Sequence, residues 1–356
     1  MNIYDFLIEN SHVFINFFII LFFSLAIFAL LVSKKFSTYL TNNNVNNIQN
    51  IHIGTISRLG GIGLLFSIML ICFLTKIYSN NFIFIYILLC GIPLIGMALV
   101  EDLIQNINPI IRLITIFISP LIFVIIFKNT LPIIDIPLLS YIINLPFINI
   151  IFFSLCLVAY INGTNFIDGT NGLASFTILT SLLCLLFLSL SINDIFISEI
   201  LIYLIAALVG FIFYNYPFGK IFLGDLGSYI LGFFVGIITV LLMGRNPELP
   251  NWSAVCILSY PIIEVIFSFI RKLQIKKSPL YPDNKHLHLK LYFTLNARIN
   301  NPIIANAFVA PFLSLIWLMP LVLLPWIYTN KFLIISAVSI QIFIYLSFYK
   351  FIPEEL

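Results

Sequence analysis

Two adjacent carboxylates in this largely apolar chain are the first candidates for chemistry. Glu101 and Asp102 follow an apolar run directly. Neighbouring carboxylates repel each other, so a divalent cation or a basic partner is the natural way to keep both ionised. The pair therefore predicts a metal-associated site, with a solvated helix end as the alternative.

A second polar segment carries an amide or a carboxylate at every third position. Its polar residues are Asn162, Asn165, Asp168 and Asn171. This spacing places them along roughly one side of a helix or tight turn. The glycines between them let the backbone approach a ligand closely. Such a surface suits a sugar, a ribose or a hydrated metal ion, and the alternative is a polar connector between helices.

A third segment places one carboxylate among glycines. Gly224, Asp225 and Gly227 precede an apolar run, and Lys220 adds positive charge nearby. Backbone N–H groups at a helix start attract phosphate, and a carboxylate beside them can bind Mg²⁺ that bridges to the phosphate. We therefore expect phosphate chemistry at this helix start.

The fourth segment, residues 271–300, is basic and contains His286 and His288. Membrane topology or binding to anionic lipid accounts for most of its lysines and arginines. The two histidines lack the i, i+4 spacing of a helical zinc pair. We interpret them as contacts to phosphate.

Membrane helices must position these residues. The chain is 61% hydrophobic and only 9% charged, whereas soluble domains carry about 25% charged residues. We predict an all-α polytopic membrane protein, with residues 1–356 forming one integral-membrane domain and eleven spans. The predicted spans lie near 13–33, 60–76, 82–100, 110–127, 147–162, 173–191, 199–216, 227–243, 252–270, 303–327 and 332–349.

The distribution of charge predicts the orientation. With the N-terminus outside and the C-terminus in the cytoplasm, only Lys76, Lys128, Arg245 and Lys331 of the 17 basic residues fall on the outer side. This is the asymmetry of the positive-inside rule. The cytoplasmic loops then lie near 34–59, 101–109, 163–172, 217–226 and 271–302. Acids and histidines cluster on this side, namely Glu101, Asp102, Asp168, Asp225, Glu264, Asp283, His52, His286 and His288.

Together the segments resemble the polyprenyl-phosphate N-acetylhexosamine-1-phosphate transferase family, also called glycosyltransferase family 4. The matching segments, in the order of the family, are SRLGG (57–61), the acidic pair followed by Pro109 and Arg112, NxxNxxDGxxGL (162–173), Asn215 and Lys220 with FLGDLGS (222–228), and PDxxHLH (282–288). The resemblance implies ten or eleven transmembrane helices and an active site that faces the cytoplasm of a bacterial inner membrane.

The resemblance also implies the reaction. A UDP-N-acetylhexosamine or related UDP-sugar would donate its sugar-1-phosphate to undecaprenyl phosphate, with UMP leaving, as the first membrane step of cell-envelope polysaccharide synthesis. The implied cofactor is Mg²⁺, with Mn²⁺ as the alternative cation. The implied partners are these two substrates, membrane lipid and a second copy in a homodimer, and no nucleic acid is expected.

The family pattern assigns roles by position. The implied catalytic residues are Glu101, Asp102 and Asp225, of which Asp225 and Asp102 would bind the metal. The implied substrate-binding residues are Arg58, Gly60, Gly61, Asn165, Asp168, Asn171, Asn215, Lys220, His286 and His288.

Three residues depart from the family pattern. Glu101 stands where the family usually has Asp, Asn171 where many members have a second Asp, and Leu289 where a further His is common. An HHH-containing signature is absent, which argues against a muramoyl-pentapeptide substrate and favours initiation of a surface polysaccharide or of lipopolysaccharide O-antigen. A lipid-linked sugar flippase or inactive relative, and a secondary transporter, are the alternative functions.

Overall fold

The computed structural model describes Phe6 and residues 10–33, 57–79, 82–104, 107–134, 140–278 and 284–353. Within these residues the α-helices are α1 (Ser11–Val32), α2 (Gly60–Ser79), α3 (Ile83–Cys90), α4 (Ile92–Ile104), α5 (Pro109–Ile126), α6 (Ser140–Ile143), α7 (Pro146–Phe166), α8 (Leu173–Ser191), α9 (Ile195–Asn215), α10 (Gly224–Arg245), α11 (Trp252–Ile257), α12 (Ser259–Gln274), α13 (Leu287–Ile299), α14 (Pro302–Phe312), α15 (Ser314–Trp317), α16 (Met319–Ile327) and α17 (Lys331–Phe351). The prediction of an all-α polytopic membrane protein is confirmed.

Helix α10 forms the centre of the bundle. It has no charged residue between Asp225 and Arg245, and its most apolar stretch of 18 residues is fully buried. A helix that is apolar on all sides suits a buried position, and α10 packs against α7, α2 and α4. In α1, α5 and α17, by contrast, less than a third of the corresponding apolar stretch is buried. These helices therefore lie at the periphery of the bundle.

Fewer long apolar helices are found than the eleven spans predicted. In the described part of the chain, nine helices or continuous helical runs are long and apolar enough to cross a membrane, with α14 to α16 counted as one. A tenth is obtained if α3 and α4, which meet at an angle of 51°, form one bent span.

The predicted span near 252–270 accounts for the difference. In this span α11 ends at Ile257 and α12 begins at Ser259, with Pro261 in its first turn. Leu258 lies between them, and its N–H bonds to the carbonyl of Ala254. Arg271 and Lys272 lie in the last turn of α12. Average apolarity had hidden both the interruption and the polar face of α12.

The ends of four helices meet on one side of the bundle. Helices α2 and α10 begin there, and α4 and α7 end there. A short parallel bridge joins Ser57, before α2, to Ile221, before α10. Three predicted loops, near 101–109, 163–172 and 217–226, therefore reach a common end of the bundle, where the candidate site is built. Of the residues singled out in the sequence, His52, Pro282 and Asp283, and most of the loop near 34–59, lie outside the described residues.

Candidate active site

The N-terminus of α10 is held by a carboxylate from another helix. Asp102 Oδ1 accepts a hydrogen bond from the N–H of Asp225 at 2.9 Å, and its Oδ2 accepts one from Leu226 at 3.0 Å. A negative charge is favourable at a helix N-terminus, where N–H groups lack partners within the helix. Two N–H groups that were expected to attract phosphate therefore already have an anionic acceptor, and a phosphate would compete with Asp102 for them.

Glycine is required where α10 begins. Gly224 has φ +68°, and a Cβ built there would lie 2.8 Å from the carbonyl oxygen of Arg58 and 2.9 Å from both carboxylate oxygens of Asp102. Any side chain would therefore push Asp102 away from the N–H groups that it caps. Gly224 therefore permits the close approach of this carboxylate.

The segment before α2 is fixed to the same place. The N–H of Gly60 donates to the carbonyl of Phe222 at 2.9 Å, and the N–H of Gly61 donates to that of Leu223 at 2.8 Å. Neither glycine has room for a Cβ, because backbone or Cβ atoms of residues 222–227 occupy that space. The Arg58 side chain is exposed beside this junction, where a cation can reach a phosphorylated ligand.

Asn165, at the end of α7, holds the Asp225 side chain. Its amide nitrogen donates to Asp225 Oδ1 at 2.9 Å and is 3.0 Å from Ser228 Oγ. Asp225 remains half-buried. The segment 162–173 and the helix start at 224–228, which were predicted on the same side of the membrane, are therefore in contact through Asn165.

Asp168 follows in the connection between α7 and α8 and stays half-buried. Burial, and then the nearby charge of Asp225, raise the pKa of the Asp168 carboxyl well above its usual value, while Arg58 acts against them. Such clustering of carboxylates is unfavourable in the absence of a cation. The arrangement therefore favours a site that receives positive charge together with its ligand.

The other member of the acidic pair accepts a hydrogen bond from a different backbone N–H group. Glu101 Oε2 accepts a hydrogen bond from the N–H of Ile107 at 3.2 Å. The Glu101 carboxylate is near the like charge of Asp225 and the opposite charge of Arg112. The two acids thus have separate positions, and Glu101 is the more weakly held of the two.

Asn171 and Asn215 hold the loops together. Asn215 Oδ1 accepts from the N–H of Gly172 at 2.9 Å, and its Nδ2 donates to the carbonyl of Ile221 at 2.9 Å. Asn171 Nδ2 donates to the carbonyl of Pro217 at 2.9 Å, and its N–H donates to Asn306 Oδ1 at 2.7 Å. Both side chains are buried. Their predicted substrate contacts stay predictions, and the structure gives both a role in fixing the loops.

Lys220 and the histidines complete the set. Lys220 is exposed, and its N–H bonds to the carbonyl of Tyr214 at 3.0 Å. His286 and His288 are buried, with ring centroids 5.8 Å apart. The His286 ring lies 5.1 Å from that of Phe166, and His288 Nε2 lies where a Cβ of Gly169 would be. The histidines therefore pack against the loop that carries Asp168.

The side chains of this site that could bind a metal suit a cation that arrives together with a phosphate. They suit a metal held by protein ligands alone less well. Across the described ranges, no three His, Cys, Asp or Glu side chains are grouped so that they could hold a metal. Asp225 offers a half-buried carboxylate, one oxygen of which accepts from Asn165. Mg²⁺ commonly binds one or two carboxylates together with substrate phosphates and waters. Asp225 fits that role, whereas both Asp102 oxygens already accept N–H bonds, so the metal assignments stay predictions.

Four further residues belong to this environment and were not assigned roles from the sequence. They are Ser228, Glu264, Asn306 and Tyr345, each of which bonds to a residue of the site or to its neighbour. Glu264 had a readable signal, since it is one of few acids on the predicted cytoplasmic side. The other three are ordinary polar residues whose partners lie more than 60 positions away in the chain.

Comparisons with known proteins find sugar-phosphate transferases among those similar to this chain. Residues 84–243 match the family described as glycosyl transferase family 4. A Bacillus subtilis protein named as a probable undecaprenyl-phosphate N-acetylglucosaminyl 1-phosphate transferase is 34% identical over 150 residues, which are 41% of each chain. The undecaprenyl-phosphate alpha-N-acetylglucosaminyl 1-phosphate transferase of Thermotoga maritima is 33% identical over 138 residues, 39% of this chain and 41% of the relative.

A phospho-N-acetylmuramoyl-pentapeptide-transferase of Lactococcus lactis subsp. cremoris is also similar, 31% identical over 141 residues, 40% of this chain and 41% of the relative. The alignments thus span about two fifths of the curated relatives. The family match includes Glu101, Asp102, Asn165 and Asp225 but neither Arg58 nor the two histidines. Residues 84–243 of this chain are thus similar to glycosyl transferase family 4, and the resemblance to polyprenyl-phosphate N-acetylhexosamine-1-phosphate transferases is confirmed.

Proposed function

We propose that this protein transfers the sugar-1-phosphate of a UDP-sugar to a polyprenyl phosphate and releases UMP. The observation that carries the proposal is the meeting of Asp102, Asn165 and Asp225 at the start of the central helix. A metal-binding carboxylate needs this kind of support from neighbouring groups to keep its orientation. The match of residues 84–243 to glycosyl transferase family 4 supports the same class of reaction.

The proposed reaction is a displacement at phosphorus. An oxygen of the lipid phosphate attacks the β-phosphorus of the UDP-sugar, and the bond from that phosphorus to the oxygen shared with the α-phosphate breaks. UMP leaves with that oxygen, and the lipid gains a diphosphate-linked sugar. A phosphate monoester has its second pKa near 6, so the lipid phosphate is largely a dianion at neutral pH and no proton has to be removed. Positioning and charge neutralisation are then the main tasks of the protein.

The residues divide these tasks. Asp225 would hold Mg²⁺, or Mn²⁺ in its place, and Asn165 would keep its carboxylate in position. The cation, when bound, neutralises charge on the phosphates as the leaving oxygen departs. Arg58 and Lys220 are exposed cations at the same end of the bundle and are suited to the phosphates of the UDP-sugar. Asp102 acts through the helix start, because its oxygens bind backbone N–H groups.

We further propose undecaprenyl phosphate as the acceptor, an N-acetylhexosamine as the sugar, and the cytoplasmic face of a bacterial inner membrane as the location. The names of the similar Bacillus and Thermotoga proteins support the first two. The excess of basic residues near the site supports the third. The missing HHH signature favours surface-polysaccharide initiation over a muramoyl-pentapeptide substrate, and the product would enter cell-envelope polysaccharide synthesis.

The arrangement of the acids bears on the alternative functions. A secondary transporter places its ionisable residues near the middle of the membrane, whereas Asp102 and Asp225 lie at helix ends. A carboxylate held in position by a neighbouring amide is what a cation-dependent transferase needs. The meeting of Asp225 with Asn165 therefore favours the transferase.

The test uses the full chain, purified in detergent and returned to lipid with undecaprenyl phosphate, Mg²⁺ and a panel of UDP-N-acetylhexosamines. We expect lipid-linked sugar and UMP in equal amounts, loss of both in EDTA, and at least a 100-fold loss in Asp225→Asn. Glu248→Gln is the control, because Glu248 is exposed in the connection at the other end of α10. Absence of turnover with every UDP-sugar would overturn the proposed function, and equal turnover in EDTA would overturn the metal assignment.

A further inference from the structure

An apolar groove lies between the start of α14 and the segment that connects α9 to α10. Its volume is about 260 Å³. The walls are residues 216–218 on one side, and on the other Ile303, Ile304, Ala307 and Phe308. Pockets for drug-sized ligands are larger, about 300–1,000 Å³, and present a few placed polar groups. The side chains of this groove are hydrocarbon apart from the Tyr216 hydroxyl, so it suits a narrow apolar chain better than a nucleotide.

The groove belongs to the surface that lipid covers. Helices α14 to α16 form one of the runs that are long and apolar enough to cross a membrane. At the start of this run, Ile303, Ile304 and Phe308 are between 43% and 54% exposed, and Phe218 on the opposite wall is 68% exposed. Lipid tails are as apolar as these side chains and solvate them. A chain can therefore enter the groove from the bilayer without crossing water.

Asn171 joins both walls of the groove to the candidate active site. Its side-chain amide donates to the carbonyl of Pro217 at 2.9 Å, and its backbone N–H donates to Asn306 Oδ1 at 2.7 Å. Asn306 lies on α14, one residue before Ala307 of the groove. Asn171 itself follows Asp168 by three residues in the connection between α7 and α8. The groove is therefore attached directly to the loop that carries Asp168.

A cation follows the apolar wall along the chain. Lys220 is exposed and lies two residues after Phe218. Gly219 between them has φ +57°, and its N–H donates to the carbonyl of Asn215 at 2.8 Å. A Cβ built on Gly219 would lie 2.5 Å from Asn171 Oδ1, so the chain passes closely over the site loop. Lysine binds phosphate as a point charge, and an ammonium beside an apolar groove matches a phosphate carried on an apolar chain.

We propose that this groove holds the first isoprene units of the acceptor, so that the lipid phosphate meets the donor phosphates near Lys220. The inference rests on the proposed function for the acceptor, and it assigns a binding site to the acceptor's chain. Lipid tails are as apolar as the groove, so apolarity alone does not select the acceptor over a phospholipid. Close contact with a chain of matching shape selects it. Ala307, the small residue of the α14 wall, leaves room for the methyl branches that distinguish an isoprenoid from a straight acyl chain.

Two exposed phenylalanines provide the first test, with the full chain in lipid. Phe218 lines the groove, whereas Phe213, which is 71% exposed, lies in the last turn of α9 outside it. We expect Phe218→Ala to raise the KM for undecaprenyl phosphate about 10-fold, as for a lost apolar contact in a pocket. The kcat and the KM for the UDP-sugar should stay within about 3-fold of the wild type. Phe213→Ala should leave all three constants unchanged.

The second test fills the groove. Ala307→Leu places a branched side chain where the proposal requires space, and we expect the KM for undecaprenyl phosphate to rise about 10-fold. The preference for undecaprenyl phosphate over a saturated, straight-chain alkyl phosphate should fall at the same time. Ala26→Leu, the same change at an exposed position of the peripheral helix α1, should leave both quantities unchanged.

A third measurement reports occupancy of the groove without turnover. A prenyl phosphate with a diazirine on its first isoprene unit is photolysed with the wild type in lipid, and the crosslinked peptides are mapped. The crosslink should fall within residues 216–218 and 303–308. Excess undecaprenyl phosphate should suppress it, whereas excess phosphatidylglycerol should not.

Three outcomes would overturn the groove assignment while leaving the proposed function intact. The first is a wild-type KM for undecaprenyl phosphate in both Phe218→Ala and Ala307→Leu. The second is equal suppression of the crosslink by phosphatidylglycerol, which would make the occupant an ordinary phospholipid. The third is a crosslink elsewhere together with a smaller oligomer of Phe218→Ala in detergent, which would make the occupant a second copy of the chain.

Failure of the proposed function is a separate result. It would appear as a wild type that turns over no UDP-sugar. The crosslink would then still decide whether a prenyl phosphate occupies the groove.

Discussion

The carboxylate of Asp102 accepts a hydrogen bond from the backbone N–H of Asp225 at 2.9 Å, across 123 residues of sequence. Asp102 lies near the end of α4, and Asp225 opens the central helix. The contact caps α10 from outside and thereby fixes the direction in which the Asp225 side chain leaves the helix. Stability and candidate chemistry therefore depend on the same carboxylate.

Removal of this cap should reduce both the stability of the fold and the rate of the proposed reaction, by an amount that depends on the substitution. Asp102→Ala loses both N–H acceptors, and Asp102→Asn keeps one oxygen acceptor without the charge. A lost helix cap costs about 1–2 kcal/mol, so we expect melting temperature and UMP release to fall in the order wild type, Asp102→Asn, Asp102→Ala. Thermal unfolding in detergent and initial rates measure this order. Equal melting temperatures in all three proteins would show that the cap contributes nothing.

Two glycines give a matched pair for the approach of α4 to α10. Gly224→Ala places a Cβ against Asp102 and demands a left-handed backbone at φ +68°, which costs about 1–3 kcal/mol before any steric effect. Gly96→Ala, inside α4, meets no atom within 4 Å and should stabilise by about 0.5–1 kcal/mol. Melting temperatures should therefore move in opposite directions. A Gly224→Ala protein as stable and active as the wild type would contradict the described geometry.

Two asparagines on α7 distinguish a site contact from a helix contact. Asn165→Ala frees the Asp225 carboxylate, and we expect turnover to fall at least 10-fold, with a higher Mg²⁺ concentration needed for half-maximal rate. Among the residues that the structure describes, Asn162 donates only to the carbonyl of Val158 in its own helix, so Asn162→Ala should stay within about 3-fold of the wild type. Rates measured over a Mg²⁺ titration compare the two. Equal losses in both variants would mean that the residues act through α7 as a whole.

The stability of the fold should depend on pH through His288. Burial lowers the pKa of the His288 imidazole to about 3, although Glu264 acts in the opposite direction. In the unfolded chain a histidine has a pKa near 6.5, so only the unfolded state takes up this proton between pH 6.5 and pH 3. The contribution of this imidazole to stability is therefore lost as pH falls below about 6.5, by about 2 kcal/mol at pH 5.

Melting temperatures from pH 8 to pH 5 test this dependence. The decrease should be smaller in His288→Gln than in the wild type, whereas His12→Gln, a change at a third-exposed side chain, should retain the full decrease. An unchanged pH dependence in His288→Gln would show that this imidazole is not held neutral.

The fold could be predicted largely from apolar segments, and its exceptions have local causes. Apolarity located α10 and its neighbours, because lipid is the only solvent that suits such runs. It failed at α12, where an average over 252–270 conceals an inward polar face that includes Glu264 and Ser268. A count of polar residues at intervals of four would have exposed that face in the sequence.

The candidate site could be predicted as a set of residues but not as a set of contacts. The spacing of three singled out Asn165, whose amide bonds to Asp225 in the structure, and its contact with the nucleotide sugar stays a prediction. The same pattern could not show that the side-chain amide of Asn171 donates to the carbonyl of Pro217, because the packing of distant loops determines this partner. Asp102 was predicted as a metal ligand, and its role as the cap of α10 depends on how two helices cross.

The central claim is that a sugar-1-phosphate moves, and the β-phosphorus of the donor reports this most directly. Protein in lipid with undecaprenyl phosphate and Mg²⁺ is given UDP-N-acetylglucosamine labelled with ³²P at the β-phosphorus, or another UDP-sugar that the panel selects. The proposed reaction places the label in the lipid fraction and leaves unlabelled UMP, and Asp225→Asn abolishes the transfer. Label that stays in water-soluble UDP while sugar appears on the lipid would contradict it, because the phosphate would then not have moved.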